Sequence, residues 1–122
     1  MSQREPLHRC FGWAWRGIWR TLRTQRNLRL QVAMAIGVAF LGVLLRLSAL
    51  DWAVIVLAMA SVFACEVMNS AIECLVDLTS PGYHELAGAA KDAAAGATLI
   101  AALASVVAGG LILGPRLLAL VR

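Results

Sequence analysis

The chain has 122 residues, of which 61% are hydrophobic, and its formal net charge is +4. Soluble domains are roughly 45–50% apolar, so this composition excludes an ordinary soluble protein and indicates an integral membrane protein. The length predicts one domain, residues 1–122, with no room for a separate soluble catalytic domain. Any chemistry must therefore be built from the membrane spans and their short connections.

The N-terminal region is rich in arginine and tryptophan. Residues 10–29 have the pattern of an amphipathic helix, with arginines on one side and apolar aromatic residues on another, which is typical of a helix lying in the membrane interface. Because the basic cluster directly precedes a hydrophobic span, it favours an anionic lipid surface over nucleic acid. The arginines of this region are Arg4, Arg9, Arg16, Arg20, Arg23, Arg26 and Arg29.

Three apolar segments follow, at residues 31–50, 52–78 and 90–114, and each is long enough to cross a membrane. The turn signal Ser80-Pro81-Gly82 separates the second and third spans, and Pro115 is expected to end the third. The arginine-dense N-terminus belongs in the cytoplasm by the positive-inside rule. The connection between the second and third spans should then lie on the cytoplasmic side too.

The second span carries a polar stripe of Glu66, Asn69, Glu73 and Asp77, at positions i, i+3, i+7 and i+11. On a helix these positions share one side over about 16 Å. Carboxylates in an apolar helix are costly, so they indicate a functional site. Such carboxylates suit Mg²⁺, a buried glutamate can take a proton from a hydroxyl group, and Lys91 can pair with phosphate. These are the parts of phosphoryl transfer to a lipid alcohol, without the Walker A motif of a P-loop kinase.

The motif E-V-M-N-S-A-I-E at residues 66–73, followed by Asp77, Y-H-E-L at residues 83–86 and A-K-D at residues 90–92, resembles the prokaryotic diacylglycerol kinase family, which includes undecaprenol kinases. The N-terminal GWAWRGIWRTLRTQRNLRLQ is similar to the amphipathic helix of that family, and the resemblance covers roughly residues 10–112. It implies an all-α homotrimer of three-span protomers in the bacterial cytoplasmic membrane. It also implies transfer of the γ-phosphate of ATP, with Mg²⁺, to the hydroxyl group of undecaprenol or diacylglycerol.

The same resemblance assigns roles to individual residues. Glu66 matches the catalytic base at the lipid hydroxyl, Asn69 matches its neighbour in the substrate site, and Glu73 matches a metal ligand. The second metal-ligand glutamate of the family aligns with Gln25, whose amide oxygen can still bind a metal but brings no charge. The positions that match nucleotide contacts are Trp13, Glu73, Asp77, Gly82, Tyr83, His84, Lys91 and Asp92.

Two hypotheses from other classes stay open on the sequence. A small proton-coupled exporter would also use an intramembrane glutamate, but such proteins usually need four spans. A non-enzymatic membrane assembly protein would explain the basic helix and the small residues of the third span, but it gives no reason for the polar stripe.

Overall fold

The computed structural model describes residues 6–121, so Arg4 of the predicted basic cluster lies outside the described residues. Within that range the chain forms four α-helices and no strand, which confirms the all-α class. The helices are α1 Leu7–Thr24, α2 Arg26–Leu44, α3 Ala49–Thr79 and α4 Glu85–Val121. The last three are long and apolar enough to cross a membrane.

A single residue, Gln25, separates α1 from α2. Its backbone is extended, with φ −97° and ψ 116°, and its N–H still donates to the Thr21 carbonyl at 2.8 Å. We predicted the end of the first helix at residue 29, whereas the break lies at Gln25. Arg26 and Arg29 therefore belong to the first turns of α2.

The turn between α2 and α3 is fixed by local hydrogen bonds and by close packing. The Ser48 hydroxyl accepts the Asp51 N–H at 3.2 Å, and the Asp51 carboxylate accepts the Ser48 N–H at 3.1 Å, which is a capping box. Arg46 has a positive φ of 51° in this turn. A Cβ atom added at Gly42 would lie 2.7 Å from the Trp52 ring, so only glycine lets α2 approach α3 this closely.

Helices α3 and α4 form an antiparallel hairpin and share the most extensive helix contact of the described structure. Helix α4 begins at Glu85, earlier than the predicted span, because the Nδ1 atom of His84 accepts the Leu86 N–H at 3.2 Å. It also continues past Pro115 instead of ending there. The Arg116 side chain donates to the Ile112 carbonyl at 2.8 Å across this turn, which supports the backbone around the proline.

An ion pair joins α3 to α4 at each end of this hairpin. Asp77 pairs with Lys91 at one end, and Asp51 pairs with Arg116 at the other. The two aspartates are about 39 Å apart along α3 at 1.5 Å per residue. Because the hydrocarbon core of a bilayer is about 30 Å thick, the two ion pairs can lie at opposite membrane surfaces, with Glu66 at membrane depth between them.

Candidate functional site

Helix α3 carries the polar stripe from the interior of the molecule to its surface. Glu66 is only 2% exposed, and Asn69 is also buried. Glu73 is half-buried and Asp77 is exposed. Alanines of α4, including the buried Ala94, line the same small cavity as Asn69. Small side chains thus let α4 approach the deep half of the stripe closely.

Two amide groups hold the Glu73 carboxylate. Gln25 Nε2 donates to Glu73 Oε2 at 3.5 Å, and Asn69 Nδ2 donates to Glu73 Oε1 at 3.2 Å. Gln25 reaches this position because it occupies the break between α1 and α2. The remaining oxygen of Asn69, Oδ1, is buried without a hydrogen-bond partner. The structure therefore brings both predicted metal-binding residues, Gln25 and Glu73, to one place.

Lys91 lies beside the shallow end of the stripe, where its Nζ donates to Asp77 Oδ1. The two side chains are 38% and 67% exposed. Exposed ion pairs contribute only about 0–1 kcal/mol, so Lys91 can exchange this carboxylate for a phosphate group at little cost.

Glu66 has partners that the sequence-based prediction missed. The Ser70 hydroxyl donates to the Glu66 carbonyl at 3.0 Å. The Gln31 side chain of α2 lies near the Glu66 carboxyl group. The sequence feature that could have indicated this neighbour is the position of Gln31. It is a polar residue at the start of an otherwise apolar span, six residues after Gln25. That spacing is about 9 Å on α2, close to the spacing of about 10 Å between Glu66 and Glu73 on the antiparallel α3.

The other predicted nucleotide contacts are not joined to this group. Within residues 6–121, no hydrogen bond or ion pair links Trp13, Gly82, Tyr83 or Asp92 to the polar stripe. Tyr83 is 98% exposed in the connection between α3 and α4. His84 uses its Nδ1 atom to cap α4. Their contact with a nucleotide stays a prediction.

A divalent cation such as Mg²⁺ needs oxygen ligands, and the side chains around Glu73 supply some of them. Among the described residues no three His, Cys, Asp or Glu side chains come together as a metal site. Glu73 instead offers one carboxylate, and Gln25 and Asn69 offer amide oxygens nearby. Mg²⁺ commonly binds through one or two carboxylates while phosphates and water supply its other ligands. This donor set fits a cation that is bound together with nucleotide phosphates.

Comparisons with known proteins identify the family of the chain. A sequence profile of the family named prokaryotic diacylglycerol kinase matches residues 12–113. The chain is 46% identical over 104 residues to the undecaprenol kinase of Bacillus subtilis, covering 85% of each chain. It is 45% identical over 111 residues to a diacylglycerol kinase of Synechocystis, covering 90% of this chain and 63% of that one. It is 29% identical over 96 residues to the diacylglycerol kinase of Escherichia coli K12, covering 79% of each.

These matches favour the kinase hypothesis over the exporter and the assembly protein. The profile match spans most of the chain and includes the whole polar stripe together with Lys91 and Asp92. The chain belongs to the prokaryotic diacylglycerol kinase family and is therefore a membrane lipid kinase.

Proposed function

We propose that the protein transfers the γ-phosphate of ATP to the hydroxyl group of a membrane lipid, at the end of the bundle that holds Gln25, Glu73 and Lys91. The observation that carries this proposal is the order of groups along α3. A buried carboxyl group at Glu66 lies about 10 Å along the helix from Glu73. Lys91 lies beyond Glu73, at the exposed end of the stripe. A lipid hydroxyl at membrane depth and a nucleotide from water can thus meet between them.

Glu66 acts as the general base in this proposal. Its carboxylate takes the proton of the lipid hydroxyl while the hydroxyl oxygen forms a bond to the γ-phosphorus. The bond from the γ-phosphorus to the β–γ bridging oxygen breaks, and ADP leaves. Because Glu66 is 2% exposed, bulk water has little access to the reacting oxygen, which favours transfer to the lipid over hydrolysis.

The phosphate chain lies at the shallow end of the stripe in this arrangement. Lys91 turns from Asp77 to a phosphate oxygen, and Asn69 keeps the Glu73 carboxylate oriented. Glu73, with the amide oxygen of Gln25, would hold Mg²⁺ beside the phosphates. A bound cation at this place neutralises phosphate charge. Trp13, Asp77, Asp92 and the connection at Gly82, Tyr83 and His84 are proposed to contact the nucleotide.

The arrangement in the membrane follows from the same reasoning. We propose a bacterial cytoplasmic membrane protein with its N-terminus and residues 80–84 in the cytoplasm, where ATP is available. Helix α1 lies in the interface, since Trp13, Trp15 and Trp19 are all well exposed in the isolated chain. We also propose a homotrimer, as the family resemblance implies. The small residues of α4 support close helix contacts between protomers.

The lipid substrate is undecaprenol or diacylglycerol in this proposal, the two substrates named for its relatives. The test uses purified protein reconstituted into vesicles with γ-labelled ATP, Mg²⁺ and each lipid in turn. We expect labelled lipid phosphate and ADP in equal amounts with at least one lipid. Folded protein that binds ATP but labels neither lipid would contradict the proposal.

A further inference from the structure

Helix α1 has a strong positive charge and a largely uncovered surface. Its 18 residues contain arginines but no aspartate or glutamate. Among these residues only Thr21 is buried and only Leu22 is half-buried, while all those from Leu7 to Arg20 are exposed. Most of the surface of α1 is therefore not covered by the rest of the described chain.

Four arginines of α1 lie on one side of the helix, because they are spaced by seven, four and three residues. This arginine stripe consists of Arg9, Arg16, Arg20 and Arg23. It is about 21 Å long at 1.5 Å per residue. The apolar residues Phe11, Ile18 and Leu22 form a second stripe, at i, i+7 and i+11. Ile18 is two residues from both Arg16 and Arg20, which is about 160° around the helix, so the two stripes lie on opposite sides.

The opposite positions of the two stripes determine what the arginines face. When the apolar stripe is buried in the membrane interface, the arginine stripe points away from the lipid and towards the cytoplasm. The sequence pattern favoured an anionic lipid surface for these arginines, whereas this geometry favours a soluble anion. Trp13, a predicted nucleotide contact, lies three residues before Arg16 and seven before Arg20, and so on the same side of α1.

The charge of the arginine stripe is not neutralised by neighbouring carboxylates. Within residues 6–121, no acidic side chain pairs with Arg16, Arg20 or Arg23. Arg16 Nε donates to the Gly12 carbonyl at 3.3 Å, and the Arg23 guanidinium lies 5.0 Å from the centroid of the Trp19 ring. Both contacts fix the direction of a side chain and leave its charge available to an anion.

The proposed nucleotide site lacks such an excess of positive charge. Its carboxylates are Glu73, Asp77 and Asp92, and Lys91 is the basic residue among them. ATP is still an anion when it is bound to Mg²⁺, so these carboxylates oppose its approach. Long-range attraction of ATP must therefore come from another part of the cytoplasmic surface.

We propose that the arginine stripe of α1 is an electrostatic steering surface that attracts ATP from the cytoplasm to the site at Glu73. Its last member, Arg23, lies two residues before Gln25, whose side chain donates to Glu73. The stripe therefore leads along α1 to the place where the phosphates bind. It acts while the nucleotide approaches, so it raises the association rate and leaves the dissociation rate nearly unchanged. The choice of ATP as the anion rests on the proposed function.

The test measures association of a fluorescent ATP analogue, N-methylanthraniloyl-ATP with Mg²⁺, by stopped flow. It uses the full chain in a neutral detergent without lipid substrate. The variant combines Arg16→Gln, Arg20→Gln and Arg23→Gln. At low ionic strength we expect its association rate constant to be about tenfold below that of the wild type, with an unchanged dissociation rate. At about 0.5 M salt the Debye length is about 4 Å, and the two proteins should associate at similar rates.

Two controls separate charge from specific contact and position from overall charge. The triple lysine variant, Arg16→Lys with Arg20→Lys and Arg23→Lys, should associate as fast as the wild type, because steering requires charge and not the guanidinium shape. Arg46 is an exposed arginine at the other end of the bundle. Arg46→Gln should leave the association rate unchanged, whereas Arg20→Gln should lower it about twofold.

Four results would overturn the inference. They are an unchanged association rate in the triple glutamine variant, a slow triple lysine variant, an equal loss in Arg46→Gln, and a tenfold difference that persists at high salt. An effect of the arginines seen only in vesicles with anionic phospholipid would also overturn it and would assign the stripe to the lipid surface. Salt-sensitive nucleotide association without phosphate transfer to lipid would instead contradict the proposed function alone.

Discussion

Among single residues, Gln25 places a neutral amide beside the Glu73 carboxylate, at the junction of α1 and α2. The family resemblance predicts a metal ligand at this position, and Gln25 Nε2 donates to Glu73 Oε2 at 3.5 Å. A glutamate here would add a second carboxylate beside the first. Two adjacent carboxylates repel each other in the absence of a cation and bind a divalent cation more tightly than one.

We predict that Gln25→Glu tightens Mn²⁺ binding in the presence of ATP by about tenfold, which corresponds to about 1.4 kcal/mol. Electron paramagnetic resonance of free and bound Mn²⁺ measures this without turnover. Asn27→Asp is the control, because it adds the same charge at an exposed position of α2 that has no contact with Glu73. Equal tightening by both variants would show that overall charge, not the position of residue 25, determines the affinity.

At the scale of helices, the contact between Gly42 and Trp52 sets how closely α2 approaches α3 at the end of the bundle remote from the site. We predict that Gly42→Ala lowers the free energy of unfolding by about 1–3 kcal/mol, because the methyl group would overlap the indole ring. Gly37→Ala on the same helix meets open space and should raise it by up to about 1 kcal/mol through helix propensity. Unfolding by sodium dodecyl sulfate in mixed micelles measures both. Equal changes in the free energy of unfolding for the two substitutions would contradict a close Gly42–Trp52 contact.

The sequence predicted the presence of the helices better than the positions of their ends. Apolar length gave the three candidate spans, and spacing gave the stripe from Glu66 to Asp77, because both depend on helix periodicity alone. The ends were misplaced where tertiary contacts decide them. Pro115 did not end α4, since Arg116 supports the turn and pairs with Asp51 far away in the chain. The position of Gln31 near Glu66 depends on the packing of α2 against α3, which no local sequence pattern reveals.

For the whole molecule, the two ion pairs of the α3–α4 hairpin and the arginines of α1 support the proposed orientation in the membrane. We propose that Lys91, Asp77 and the arginine-rich helix α1 lie on the cytoplasmic side, and that Asp51 and Arg116 lie on the other side. Labelling of single cysteines with a membrane-impermeant thiol reagent tests this orientation. In a background where Cys10, Cys65 and Cys74 are replaced by alanine, Ser48→Cys should react in intact spheroplasts.

The matched variant for Ser48→Cys is Ser80→Cys, whose thiol should react only after the membrane is opened. It lies in the connection between α3 and α4, close in sequence to Asp77. The reverse pattern would place the polar stripe outside the cell, away from ATP, and would contradict the proposed reaction.

The proposed reaction depends most on Glu66, which takes the proton of the lipid hydroxyl during phosphoryl transfer. The most direct measurement is the rate of labelled phosphate transfer from ATP to the lipid by Glu66→Gln, compared with Glu85→Gln, which removes an exposed carboxyl group at the start of α4. We predict a loss of about 10²–10⁴-fold in kcat for Glu66→Gln, with ATP binding unchanged, and a wild-type rate for Glu85→Gln. A Glu66→Gln enzyme that transfers phosphate at the wild-type rate would contradict it.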